Sequence, residues 1–261
     1  MRVIDAAERL LYAMAMVATV SCGTPAGAQD VAGVIQLAER DRGARDPVSA
    51  LRRYEAALAT VPTNYDLLWR AALEAVVLGE AATDATVRNR YNALAEAYAR
   101  RAVSANAAGA DGHFVLAVAL GRTAQSVGAR ERVKYAAEIR SVALDAVRLD
   151  PRHAGALHVL GVWNAEVMRL GGLTRFAARN FLGGRIFEQA SWGEARRYME
   201  AAVAADPGRI THRLDLALIH NDMKQPALAR TTCEAVQRMP TVEFNDGRYK
   251  RDCEALVRRL R

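Results

Sequence analysis

Small residues that recur at helical spacing and are closed off by proline constrain this chain more than any other feature. From Ser191 the chain reads Trp192-Gly193-Glu194-Ala195, with Met199 four residues on, Ala202 three further and Pro207 five further. On a helix these positions share one face. Small side chains there let a second helix approach closely, a bulky one fills the gap between them, and proline ends the helix. The pattern returns as Ala50, Tyr54, Ala57 and Pro62, with Asp46 placed as N-cap and Pro47 as the first helical residue. Weaker copies are Ala95, Ala99, Ala102 and Ala107, then Ala143, Ala146 and Pro151, and finally Leu228, Ala235 and Pro240. Ser191 and Glu194 have the spacing of a capping box.

Five such stops imply five helix pairs. Positions 62, 107, 151, 207 and 240 are separated by 45, 44, 56 and 33 residues. An uninterrupted array of helix-turn-helix units would show about 34 each time, so three units carry insertions. Two of these insertions are the polar stretch 80–89 and the glycine-bracketed stretch 171–185. First helices are expected over 65–79, where Leu67, Leu68, Ala71, Ala72 and Ala75 form a stripe with Trp69 one position off it, and over 111–122. Their long partners fall near 90–105 and 130–149. A fifth unit spans 211–240. A last helix over about 247–260 carries Arg248, Lys250, Arg251, Arg258 and Arg259, the water-compatible outer face that a terminal cap needs. Alternating β-branched runs are lacking. The fold class is therefore all-α: an α-solenoid of about five helix pairs with insertions and a C-terminal capping helix.

The composition fits closely packed helices, since 51% of the 261 residues are hydrophobic but only 6% aromatic. The formal charge is +7, and residues 1–28, with Arg2 and Arg9 against Asp5 and Glu8, contribute nothing to it. Such a surface biases long-range encounter toward acidic partners. Residues 10–20 are an apolar run too short to span a bilayer, and Ala26-Gly27-Ala28 offers small residues for a signal peptidase. The domain reading is accordingly a signal peptide over 1–28, cleaved after Ala28, and a repeat domain over 29–261 of an exported, periplasmic protein without a transmembrane segment. Cys22, preceded by Ser21, offers the alternative of a lipid anchor. Export would leave Cys233 and Cys253, near the middles of consecutive helices, able to form a disulfide if their Cα atoms come within about 7 Å.

Chemistry is sparse. His113, His153, His158, His212 and His220 include no pair at metal spacing with a carboxylate or cysteine. Nucleophile elbows, Walker loops and dinucleotide fingerprints are missing. Neither catalysis, metal nor cofactor is expected. Around 122–140, Arg122, Arg130, Arg132, Lys134 and Arg140 cluster beside Glu131 and Glu138, with Glu131 and Lys134 spaced for intrahelical pairing. Arg175, Arg179 and Arg185 form an acid-free basic stretch with glycines nearby, a weak anion-binding candidate.

The array resembles tetratricopeptide repeat proteins across residues 30–261. More narrowly, the run from Ala110-Asp111-Gly112-His113 through His158-Val159-Leu160-Gly161-Val162-Trp163 to Ser191-Trp192, Pro207 and His212-Arg213-Leu214-Asp215-Leu216 resembles the repeat region of the regulator of microtubule dynamics family. The resemblance implies a helical protein-binding solenoid, and for the animal members an association with microtubules. Aligning the small residues Ala72, Ala117, Gly161 and Ala217 puts Asp66, Trp69, Asp111, Phe114, Arg122, His158, Glu166 and Asp222 on or near a concave groove of first helices. The expected function is a non-catalytic protein-binding scaffold that takes a peptide or partner helix there. The alternatives are a microtubule-associated regulator and an anion or membrane-surface binder acting through the arginine stretch; nucleic acid is not favoured.

Overall fold

The structure, a computed structural model, describes residues 26–171 and 185–260. The apolar run at 10–20 and Cys22 lie outside the described residues. Among the described residues, eleven α-helices follow one another with no strand between them. In order they are α1 (Ala26–Gly43), α2 (Pro47–Leu58), α3 (Tyr65–Ala81), α4 (Ala85–Ala105), α5 (Ala110–Ala124), α6 (Ala129–Leu149), α7 (Ala154–Arg169), α8 (Trp192–Ala205), α9 (Ile210–Asp222), α10 (Pro226–Arg238) and α11 (Asp246–Arg259). A short 3-10 helix, Arg185–Gln189, precedes α8. No described helix is long and apolar enough to cross a membrane.

Helices pack in consecutive pairs, α1 with α2 through α9 with α10, and every pair ends just before one of the five stop positions. First helices also pack on the next first helix, α3 on α5, α5 on α7 and α7 on α9. Each second helix instead packs on its own partner and on the first helix that follows. That asymmetry makes an α-solenoid, with first helices as the inner layer and second helices as the outer one.

Side-chain size explains the pairing. Ala195, Met199 and Ala202 on α8 are fully buried against α7, where Gly161 lets the two backbones come together. A Cβ at Gly161 would lie 3.2 Å from both the Ala195 carbonyl oxygen and the Met199 backbone nitrogen. Tyr54 plays the part of Met199 in the first pair and is likewise fully buried. Burying a side chain such as Met199 contributes about 1.5–3 kcal/mol. The uninterrupted units turn alike: Arg45 and Lys224 adopt φ of 61° and 62°, two residues before the prolines that start α2 and α10.

Caps set the helix starts. Asp46 accepts from Ser49 N–H at 3.0 Å, Asn64 from Leu67 N–H at 3.0 Å and Ser191 from Glu194 N–H at 3.0 Å. The capping box at Ser191 is only half formed, because the Ser191 N–H donates to Asn164 Oδ1 at 3.2 Å and Glu194 pairs with Arg197. Residues 80–89, read as a polar insertion ahead of a helix at Arg90, largely continue the helices on either side. Helix α3 runs on through Ala81, and Asp84 accepts from Val87 N–H at 2.8 Å and starts α4 five residues earlier than Arg90. The extra residues lengthen the helices. In the fifth unit the buried face is shifted by one from the sequence reading: Leu228 is 49% exposed, while Ala229, Cys233 and Val236 are buried. The reason is α11, whose Cys253 and Leu256 pack on that face together with Ile210, Leu214 and Ala217. Cys233 and Cys253 stand in disulfide arrangement with Cα atoms 5.1 Å apart.

Candidate functional site: the inner face of the first helices

The inner layer carries the residues that the sequence assigned to a groove, and the chain itself partners every charged one of them. Asp66 pairs with Arg70 at 2.7 Å, one turn along α3. Arg70 lies 4.0 Å from the centre of the Trp69 ring, so the indole is half-covered rather than open. Asp111 and Phe114 of α5 both meet His153, the N-cap of α7: Asp111 Oδ1 is 3.3 Å from Nε2 and the Phe114 ring is 4.9 Å from the imidazole. His158 of α7 holds Asp215 of α9 at 2.6 Å and stacks on His212 at 4.7 Å. Glu166 and Asp222 are brought together on Arg169, Asp222 at 2.7 Å. Arg122 reaches Glu80 at 2.9 Å. Apart from Asp66–Arg70 and Glu166–Arg169, which stay within one helix, these pairs link successive first helices.

The basic cluster beyond Arg122 does structural work. Arg132 donates to the carbonyls of Ala124 and Val127, Lys134 pairs with Glu131 at 2.9 Å, and Arg140 covers Trp163. Of the weak anion site, Arg175 and Arg179 lie outside the described residues, and Arg185 is exposed at the start of the 3-10 helix. Among the described residues, no group of three or more histidine, cysteine or acidic side chains is placed to hold a metal ion.

Sequence reasoning missed the part of the inner face where the two ends of the chain meet. After α10 the backbone leaves Pro240 without regular structure and crosses to the first helices of units one and two. Glu243 stands between Arg42 near the end of α1, at 3.3 Å, and Arg209, the residue before α9, at 2.8 Å. Asn245 donates to the Val77 carbonyl at 3.4 Å. From the first turn of α11, Arg248 and the Tyr249 hydroxyl both bond Glu80, the hydroxyl at 2.9 Å. Asp246 fixes the approach by accepting from the N–H groups of Val242 and Glu243 at 2.8 and 2.7 Å. The one local signal for this meeting point was an acid inside the apolar run of α3, since Glu74 interrupts Ala71-Ala72-Leu73 and Ala75-Val76-Val77.

Glu74 lies beneath this meeting point and is only 2% exposed. Burial pushes its carboxyl up to about 7; Arg42 at 3.6 Å opposes the rise, and the charges of Glu243 and Glu39 add to it. Burial draws the Arg42 guanidinium down, but Glu243, Glu74 and Glu39 more than offset it. His212 shows the opposite case. Desolvation first, then the neighbouring His158 and Arg209, lower it to about 2, so it is held neutral.

The fold is found in solved structures. The thermophilic TPR protein TTC0263 of Thermus thermophilus superposes with a TM-score of 0.63 at 20% identity, over 87% of this chain and 98% of that one. MamA of Desulfovibrio magneticus gives a TM-score of 0.46 at 13% identity, over 80% of this chain and 94% of its own. YrrB, a TPR protein with an unusual peptide-binding site, gives 0.41 at 13% identity, over 90% and 97%. No curated protein sequence matches. The model of the regulator of microtubule dynamics protein 1-3 family matches residues 35–261, and with its repeat units in the order described above the chain belongs to that family.

Proposed function

We propose that the chain is a non-catalytic protein-binding scaffold of the exported, periplasmic compartment, and that its inner face takes an extended segment of a partner protein. The observation that carries this reading is that a non-helical stretch of the chain itself, residues 240–245, already lies across the inner face of α1 and α3. A surface that holds side chains of its own non-helical segment in this way has polar groups placed to hold another chain's. Trp69, Phe114 and His158, half-buried on α3, α5 and α7, supply the flat anchors that concentrate binding energy in such surfaces. The compartment is supported by the apolar run at 10–20, the small residues at 26–28 and the disulfide arrangement of Cys233 and Cys253. Peptides selected from a random library on the intact chain should lose about tenfold or more in affinity when Trp69→Ala and Phe114→Ala are combined, as expected for removing aromatic anchors. Undiminished binding by the folded double variant refutes the assignment.

The family's name supports a second reading, association with microtubules. Co-sedimentation of the chain with polymerised tubulin tests it, and N-terminal sequencing of the mature chain decides whether residues 1–28 are retained. A chain that is cleaved after Ala28 and stays in the supernatant excludes this reading.

A further inference from the structure

Residues 240–245 are held in an unusual way. Glu243 and Asn245 turn inward, while Val242 and Phe244, 57% and 44% exposed, turn their apolar side chains to water. The segment is therefore attached to α1 and α3 by polar contacts, those of Glu243 partly solvated and that of Asn245 buried, and its hydrophobic groups do not hold it down. Under the contact sit two guanidinium groups from opposite ends of the chain, Arg42 and Arg209, converging on a single carboxylate. Arginine forks suit a carboxylate in geometry as well as charge.

We infer that Arg42 and Arg209 form a carboxylate-binding site on the inner face, that Glu243 is its internal occupant, and that its external ligand is an acidic segment of a partner protein. The inference rests on the scaffold reading above and names the partner chemistry. Several features beyond the ion pair point the same way. Two residues after the glutamate, within the same turn, Asn245 donates its side-chain amide to the Val77 carbonyl, so the segment reaches α3 as well as α1. The tie from Asp246 to the N–H groups of Val242 and Glu243 holds the backbone at the start of α11, so emptying the site takes a rotation of the Glu243 side chain alone. Arg42 and Arg209 keep other acids when Glu243 departs, Glu74 and Glu39 for the first and Asp206 for the second. The site is thus one that can empty and refill.

The test uses the full chain and a blocked synthetic heptapeptide of its own residues 240–246, Pro-Thr-Val-Glu-Phe-Asn-Asp, followed by nuclear magnetic resonance titration at low salt. In the wild type the tethered glutamate outcompetes the peptide. Glu243→Ala, which leaves α11 and its cap intact, should bind the peptide about tenfold or more tightly than the wild type, because an intramolecular competitor has been removed. The same peptide with glutamine in place of its glutamate should lose about tenfold against Glu243→Ala, and adding Arg42→Ala should do likewise, as expected for a desolvated charge pair. Equal affinity of wild type and Glu243→Ala, or no detectable binding by a Glu243→Ala chain with native circular dichroism and unfolding midpoint, overturns the proposal. Failure here with intact Trp69- and Phe114-dependent capture of library peptides would leave the scaffold reading standing. The converse result would remove that reading and keep this site.

Discussion

Replacing Glu74 by glutamine should make the protein more stable at neutral and alkaline pH, although it deletes one side of an ion pair. The carboxyl is buried beside Arg42, and its folded value of about 7 stands against 4.5 for an unperturbed glutamate. Below pH 4.5 both folded and unfolded chains carry the proton, and wild type and variant should be of similar stability. Between 4.5 and 7 the unfolded chain releases the proton while the folded chain keeps it, so wild-type stability falls as pH rises. Above 7 the whole cost stands. A gap of about 2.5 pH units at about 1.4 kcal/mol each gives about 3 kcal/mol. Arg42 retains Glu243 and Glu39 in the variant, so no unpaired guanidinium is left behind. Urea titrations at intervals from pH 4.5 to 8.5 supply the two curves, and their difference cancels every other titrating group. The difference should grow in favour of Glu74→Gln by about 3 kcal/mol across that range. Parallel curves, or a variant that loses ground above pH 7, would show that the Arg42 pair outweighs desolvation.

Four further expectations follow from the packing. His212 is held neutral in the fold but protonates below its ordinary 6.5 when unfolded, so stability is lost as pH falls; His212→Leu should recover about 2 kcal/mol relative to wild type at pH 5, read from the same titrations. Gly161→Ala should destabilise by about 1–3 kcal/mol, since its Cβ would press on backbone atoms of α8 that cannot give way. In contrast, Gly121→Ala, whose Cβ meets nothing within 4 Å, should stabilise α5 by about 0.5–1 kcal/mol in thermal unfolding. Cutting the Cys233–Cys253 link, which closes a loop of sequence separation 20, should cost about 3 kcal/mol, measured with and without reductant. An unchanged midpoint, with both thiols titrating freely in the oxidised sample, would refute that pairing.

The repeat units could be read from sequence because the information is local. Ala195, Met199, Ala202 and Pro207 lie within four turns of one another, and their sizes alone set how closely α8 meets α7. Boundaries were less accessible. Asp84 starts a helix inside the polar stretch that the repeat spacing marks as an insertion, and its cap bond to Val87 shows where. Register in the fifth unit depended on α11, which no spacing within α10 announces. The groove residues lie on α3, α5, α7 and α9 as helix spacing implies, but spacing does not show that His153, Asp215, Arg169 and Glu80 engage their polar groups. Partnerships such as Arg42 with Glu243 join positions 201 residues apart. Helix periodicity carries no record of such distances, so this contact emerges only in three dimensions.

That contact changes what kind of mechanical object the molecule is. A stack in which each unit touches only its neighbours behaves as an open spring, fraying from either end and stretching under small loads. Here the Arg42–Glu243–Arg209 clasp fastens the first coil to the last, so extension must break the clasp before any coil can separate. Pulling the termini apart in a force experiment should therefore give one early rupture followed by sequential coil release, and Glu243→Ala should lower the force of that rupture without abolishing it, since Asn245, Arg248 and Tyr249 still hold α3.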